Sequence, residues 1–93
     1  MTVLYVITFD ISDDRDRYRA VKVLKGVGIR VQKSVFECDL SEHGLLNVQS
    51  KLEKIIDHGS DSVRYYRLCR ACVGEVEWQG PGSPPTTESF KVV

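Results

Sequence analysis

The sequence has no excess of charge of either sign: 13 lysines and arginines cancel 13 aspartates and glutamates over 93 residues. Bulk attraction to nucleic acid or to an anionic membrane is therefore not what this chain offers, and any basic surface must come from how the charges are distributed. No run approaches the roughly 18 consecutive apolar residues of a membrane span. No basic, apolar and small-residue leader precedes the first apolar segment, so a cytoplasmic protein with no membrane partner is expected. Three cysteines is an odd number, which excludes a complete disulfide framework and agrees with a reducing compartment. Cys69 and Cys72 form a CxxC, but no second pair completes a zinc site and the motif falls among strand-like runs, so buried thiols are expected. No Ser-His-Asp order, glycine-rich phosphate loop or paired His-Glu motif occurs. His43 and His58 bracket one helical segment and are too far apart to share a turn. Internal repeats are also missing.

What is present is an alternation of strand and helix patterns in a chain sized for one domain. A domain this short buries a modest share of its surface, which makes association a natural source of extra stability. Residues 2–10 read as a strand with Val3, Tyr5, Ile7 and Phe9 on one face and Leu4, Val6, Thr8 and Asp10 on the other. Both faces are largely apolar, which predicts a central strand covered on both sides. A helix over 13–27 follows, with Ser12 as N-cap, Asp13, Asp14 and Asp16 in the first turn, and Ala20, Val21, Leu24 and Val27 as its apolar stripe. Gly26 or Gly28 ends it.

Extended pieces at 29–32 and 34–40 precede a second helix over 42–57, capped by Ser41 and striped by Leu45, Val48, Leu52, Ile55 and Ile56, with Gly59 as a stop. Further extended runs fall at 62–69 and 72–78. The order strand, helix, strand, strand, helix, strand is that of the α+β, ferredoxin-like βαββαβ sandwich. Both helices lie on one side of the sheet in that fold, so the second face of the first strand lacks a cover, and a homodimer packed face to face would supply one. Residues 1–79 form the expected domain. Gly80 to Thr87 is a glycine- and proline-rich spacer, and Phe90 to Val93 is either a further strand for a neighbour's sheet or a frayed tail.

Asp10 is the residue with the most chemistry in reach. It ends an apolar strand just before a helix start, so it stands at the rim of the sheet, where it either holds a hard cation against a phosphate or caps the turn. One carboxylate is a thin site for Mg²⁺, which takes one or two carboxylates together with substrate phosphates. A two-fold axis near the first strands would bring two copies of Asp10 together, and a bridging divalent ion would turn their repulsion into ligation. Arginines gather at 15, 17 and 19, at 30, and again at 64, 67 and 70. Arg17 lies at the border of the buried stripe and Arg30 opens the second strand beside Gln32 and Lys33; Arg17, Arg19 and Arg30 grouped together would read a nucleic-acid backbone and not a sequence. Phe36 either stacks a base or joins the core. No general base is evident, and Tyr5 and Tyr18 are the nearest proton carriers.

Taken together, the strand running into Phe9-Asp10-Ile11-Ser12-Asp13-Asp14, then Arg17 and Arg19, then Gly28-Ile29-Arg30-Val31-Gln32-Lys33-Ser34-Val35-Phe36-Glu37 resembles the Cas-two family, the small CRISPR-associated protein that accompanies the spacer integrase. The likeness covers at least residues 3–40, and the element order agrees through 78. It implies a homodimer of ferredoxin-like protomers that exchange C-terminal strands, taking part in spacer acquisition with the CRISPR integrase. It implies a metal-dependent endonuclease acting on single-stranded RNA or double-stranded DNA, with Asp10 as catalytic residue and as the ligand of Mg²⁺ or Mn²⁺ shared between subunits. It implies nucleic-acid contacts through Arg17, Arg19, Arg30 and Phe36. One departure is visible: position 9 is often tyrosine in that family and is Phe9 here, so no phenol hydroxyl stands beside the acid. The competing readings are a non-catalytic dimer that bridges integrase dimers and a toxin-type ribonuclease of the same fold.

Overall fold

In a computed structural model, residues 1–68 are described; the run at 72–78, the CxxC, and the spacer and terminal strand of 80–93 lie outside the described residues. The elements follow in the order β1 (Val3–Asp10), α1 (Asp14–Lys25), β2 (Gly28–Gln32), β3 (Val35–Leu40), α2 (Glu42–Glu53) and β4 (Ser62–Leu68). The strands form one sheet in the order β2-β3-β1-β4, with every neighbouring pair antiparallel. This is the split βαβ arrangement expected of a ferredoxin-like fold, and β1 is central as its two apolar faces require. No helix among the described residues is long and apolar enough to cross a membrane.

Strand alternation divides the side chains between two surfaces. Ile7 and Phe9 of β1, with Phe36, Cys38 and Leu40 of β3, meet Ala20 and Leu24 of α1 and Val48 and Leu52 of α2 in one buried cluster. Each large aliphatic or aromatic side chain buried in this way contributes roughly 1.5–3 kcal/mol. The stripe residues expected of both helices all pack in or against this cluster, including Val21, Val27, Leu45, Ile55 and Ile56. On the opposite surface stand Leu4, Val6, Thr8 and Asp10, paired with Asp39, Glu37 and Val35 of β3 and with Leu68, Tyr66, Arg64 and Ser62 of β4. No helix among the described residues packs there.

The helix ends differ in instructive ways from what the sequence suggests. The N-cap of α1 is Asp13, whose carboxylate accepts from the Asp16 N–H at 2.9 Å. Ser12 does not cap the helix because a residue far along the chain engages it: its N–H and hydroxyl both donate to Asp61 Oδ1, at 3.1 and 3.0 Å. Gly26 closes α1, donating to Val23 O at 3.2 Å. Ser41 caps α2 as expected, accepting from the Gly44 N–H at 3.0 Å. That helix stops at Glu53, short of 57, because Asp57 and Asp61 take over the backbone: Asp61 Oδ2 accepts from the Asp57 N–H at 2.8 Å and Asp57 Oδ1 from the Gly59 N–H at 2.9 Å. Gly28 opens β2 where the backbone nearly touches β3; a Cβ there would lie 2.3 Å from Cys38 Sγ and 2.6 Å from the Glu37 carbonyl. Only glycine fits that approach.

Candidate metal and phosphate site

Asp10 is the last residue of β1 and is exposed. Its position follows from three local facts. The alternation of β1 turns it to the helix-free surface, away from Phe9, which is buried and stacked against Phe36 at 6.2 Å. Ile11 then dives into the core, 3% exposed, and anchors the chain immediately after the acid. Ser12 is tied to Asp61 in the α2–β4 loop. The strand end that carries Asp10 is thus pinned to the strand beside it.

Asp61 is held below the usual carboxylate range, first by the N–H groups of Asp57 and Ser12 and then by the hydroxyls of Ser12 and Ser60. Its charge is used up in holding the two loops together, and it is not a spare ligand. Asp10, by contrast, takes part in no ion pair or side-chain hydrogen bond among the described residues.

A shallow cavity of about 260 Å³ lies beside it, lined by Thr8, Phe9, Asp10, Ser62, Arg64 and Tyr66. Ser62 is directly opposite Asp10 and Arg64 directly opposite Thr8. The oxygen donors are one carboxylate and three hydroxyls, those of Thr8, Ser62 and Tyr66, and the carboxylate is a hard ligand of the kind Mg²⁺ and Mn²⁺ accept. No group of three metal-ligating side chains occurs among the described residues, and a divalent cation at Asp10 would need a second acid or a phosphate to complete its ligands.

None of the arginines singled out as candidate contacts from the sequence lines the cavity beside Asp10. Arg17 is 45% exposed and pairs with Asp14 one turn earlier on α1. Arg19 lies 3.8 Å from Asp16 and is also exposed. Arg30 sits on the edge strand opposite Phe36, which places it on the helix side of the sheet, the reverse of Asp10's side. Its Nε and Nη2 donate to the Lys33 carbonyl at 3.2 and 2.8 Å, closing the β2–β3 turn, and its guanidinium lies 5.9 Å from the Phe36 ring centre. Phe36 itself is 0% exposed, so in this protomer its ring is core and a support for Arg30; it offers no open platform for a base.

Of the tyrosines considered as proton carriers, Tyr5 packs against the core and Tyr18 is exposed on α1. Ser62, Arg64 and Tyr66 are the neighbours of Asp10 that sequence reasoning passed over. The alternation of β4 was legible, but its register against β1 was not. Tyr66 favours the charged form of Arg64, by hydrogen bonding first and by its own charge second. Cys38, the cysteine among the described residues, has its thiol pushed up to about 12, by burial and then by the Glu37 charge, and is chemically inert.

The model of the family described as CRISPR associated protein Cas2 matches residues 1–76. The CRISPR-associated endoribonuclease Cas2 1 of Chloroflexus aurantiacus is 43% identical over 86 residues, covering 91% of this chain and 92% of that protein. The crystal structure of Streptococcus pyogenes Cas2 superposes with a TM-score of 0.75 at 29% identity, covering 83% of this chain and 99% of that one. A chain of a partial Cas6-RT-Cas1–Cas2 complex superposes with a TM-score of 0.72 at 25% identity, covering 87% and 96% of the two chains.

Proposed function

The chain belongs to the CRISPR associated protein Cas2 family, and from that premise we propose that it works in spacer acquisition as a homodimer that holds a nucleic-acid backbone and hydrolyses phosphodiester bonds at paired Asp10 residues. The observation that carries this reading is that Asp10 stands exposed at the rim of the sheet surface on which no helix among the described residues packs. Leu4, Val6 and Tyr66 share that surface, and Tyr66 is 47% exposed. A second copy covering it by two-fold symmetry would bring the two acids toward one axis.

Asp10 from each protomer would hold Mg²⁺ or Mn²⁺. When bound, such an ion supplies Lewis acidity to a phosphodiester oxygen and to an attacking water. The protein's own part is to bind and to orient. Arg17 and Arg19 on α1 are exposed and, among the described residues, pair with acids of their own helix, so they can exchange those partners for phosphates at small cost. Arg30, propped by Phe36, offers a further backbone contact at the edge of the sheet. The substrate class is double-stranded DNA or single-stranded RNA, read by its phosphates. The endoribonuclease name of the Chloroflexus relative and the presence of Cas1 in the complex support cleavage and an integrase partner respectively.

A second reading is a non-catalytic dimer bridging integrase dimers. It is favoured by the cavity lining, which contains no histidine or second acid able to serve as a general base. One pair of measurements separates the two. Cleavage by the purified chain should require Mg²⁺ or Mn²⁺ and disappear in Asp10→Ala. Spacer acquisition in cells should fall with it if hydrolysis is part of the task. Full acquisition by Asp10→Asn, with cleavage gone, leaves the scaffold as the working function.

A further inference from the structure

Asp10 and Arg64 face the same cavity and do not pair with one another. Arg64 lies opposite Thr8 and is therefore the diagonal neighbour of Asp10 across β1 and β4. Diagonal neighbours in an antiparallel pair sit about 7–8 Å apart, within the reach of a long side chain, so the Arg64 guanidinium can meet a group held at Asp10. Two hydroxyls, Thr8 and Ser62, lie on that same surface between and beside the two charges. The Arg64 guanidinium and the two hydroxyls are donors that a phosphate oxygen accepts from, whereas the Asp10 carboxylate repels that anion unless a cation lies between them.

We propose that Arg64, assisted by the Thr8 and Ser62 hydroxyls, receives a non-bridging oxygen of the backbone phosphate brought to Asp10, and so positions the phosphodiester at the rim of the sheet, where the strand ends leave it open beside a paired copy. The inference rests on the reading above that this surface takes a nucleic-acid backbone, and it adds a cation that neither the spacing of the sequence nor the α1 arginines indicate. Arg64 is a positioning residue: its fork can hold two phosphate oxygens at once, which a lysine ammonium cannot do with the same geometry.

The test is equilibrium binding of a fluorescent DNA duplex to the full chain in EDTA, across a salt series, with cleavage in Mg²⁺ measured in parallel. Arg64→Gln is expected to weaken metal-free binding about tenfold, the usual worth of one charge-assisted contact, and to lower the salt slope by about 1 per protomer. Arg64→Lys should restore the slope and only part of the affinity. Asp10→Asn should bind more tightly than wild type in EDTA, because a negative charge beside the phosphate is gone.

Wild-type affinity and slope in Arg64→Gln, in a variant that melts and sediments like wild type, would overturn the inference. So would lost affinity with an unchanged slope, which marks a structural effect. Where the glutamine variant does not fold, Arg64→Lys decides, and affinity equal to wild type counts against the fork. Cleavage that persists in Asp10→Asn removes the hydrolytic reading and leaves the Arg64 result standing; unchanged binding by Arg64→Gln removes this inference and leaves cleavage at Asp10 standing.

Discussion

The two surfaces of one sheet could hardly be more different in what their side chains do. On the helix side, Ile7, Phe36, Leu24 and Cys38 are each 0% exposed, and every buried residue there is apolar. On the other side, the same strands present Asp10, Arg64, Ser62, Tyr66 and Glu37. Strand alternation lets β1 serve both surfaces residue by residue, so stability and chemistry are separated by a peptide unit and not by a domain boundary. The lesson is that substitutions one position apart should have effects of different kinds. Changes on the helix side should unfold the protomer, and changes on the open side should leave it folded and alter what it binds.

The largest effect should come from Phe36→Ala. It removes a fully buried ring that stacks on Phe9, and the expected loss is about 3–5 kcal/mol, read as a large drop in the urea midpoint. If the variant instead keeps its stability and loses nucleic-acid binding, the division between surfaces is wrong at that residue. Gly28→Ala comes next. Its Cβ would collide with Cys38 Sγ and the Glu37 carbonyl, and overpacking against backbone costs about 1–3 kcal/mol; thermal melting checks it.

A smaller and sharper test uses pH, because two acids titrate with opposite signs. Asp61, in the loop latch, is held below its ordinary range, so its stabilising effect is present above the unfolded-state value and is lost as pH falls through the folded-state one. Glu37, on the open surface, is raised by burial, so the folded state binds its proton more tightly and stability from this group declines as pH rises through the carboxylate range. Melting temperatures from acid to neutral pH should show Asp61→Asn flattening the acid-side loss, and Glu37→Gln raising stability at neutral pH relative to acid. The same sign in both variants would refute the assignment. The smallest effect on folding belongs to Asp10→Asn, expected within about 0.5 kcal/mol of wild type, since an exposed acid with no partner among the described residues contributes little to the fold. A marked change there would make Asp10 a structural cap.

The fold was nearly complete in the linear pattern. The apolar positions of α1 and α2 stand at helical spacing, β1 is apolar on both faces as a central strand must be, and Ser41 followed by a helical run is a cap that needs nothing distant to act. The exception at Ser12 is informative. By composition it is as good a cap as Asp13, and what decides between them is Asp61, 49 residues along the chain. The site was legible only in its first member. Asp10 could be seen as a strand-end acid from its neighbours in sequence, but the grouping of Arg17, Arg19 and Arg30 around it assumed a common surface that the protomer does not have. Arg17 and Arg19 pair along their own helix, and Arg30 faces the other side of the sheet.

Local chemistry alone therefore determined the elements, the caps other than the start of α1 and the end of α2, the core-facing residues and the acid at the end of the first strand, because helix and strand periodicity are properties of a few consecutive residues. Tertiary structure alone decided the company that acid keeps. Which of β4's side chains stand beside Asp10 depends on the register between strands more than 50 residues apart, and a slip of one residue would send Arg64 and Ser62 to the core side and Val63 and Tyr65 to the open one. Side-chain identity can be read from a sequence, but strand register is an outcome of packing the whole sheet.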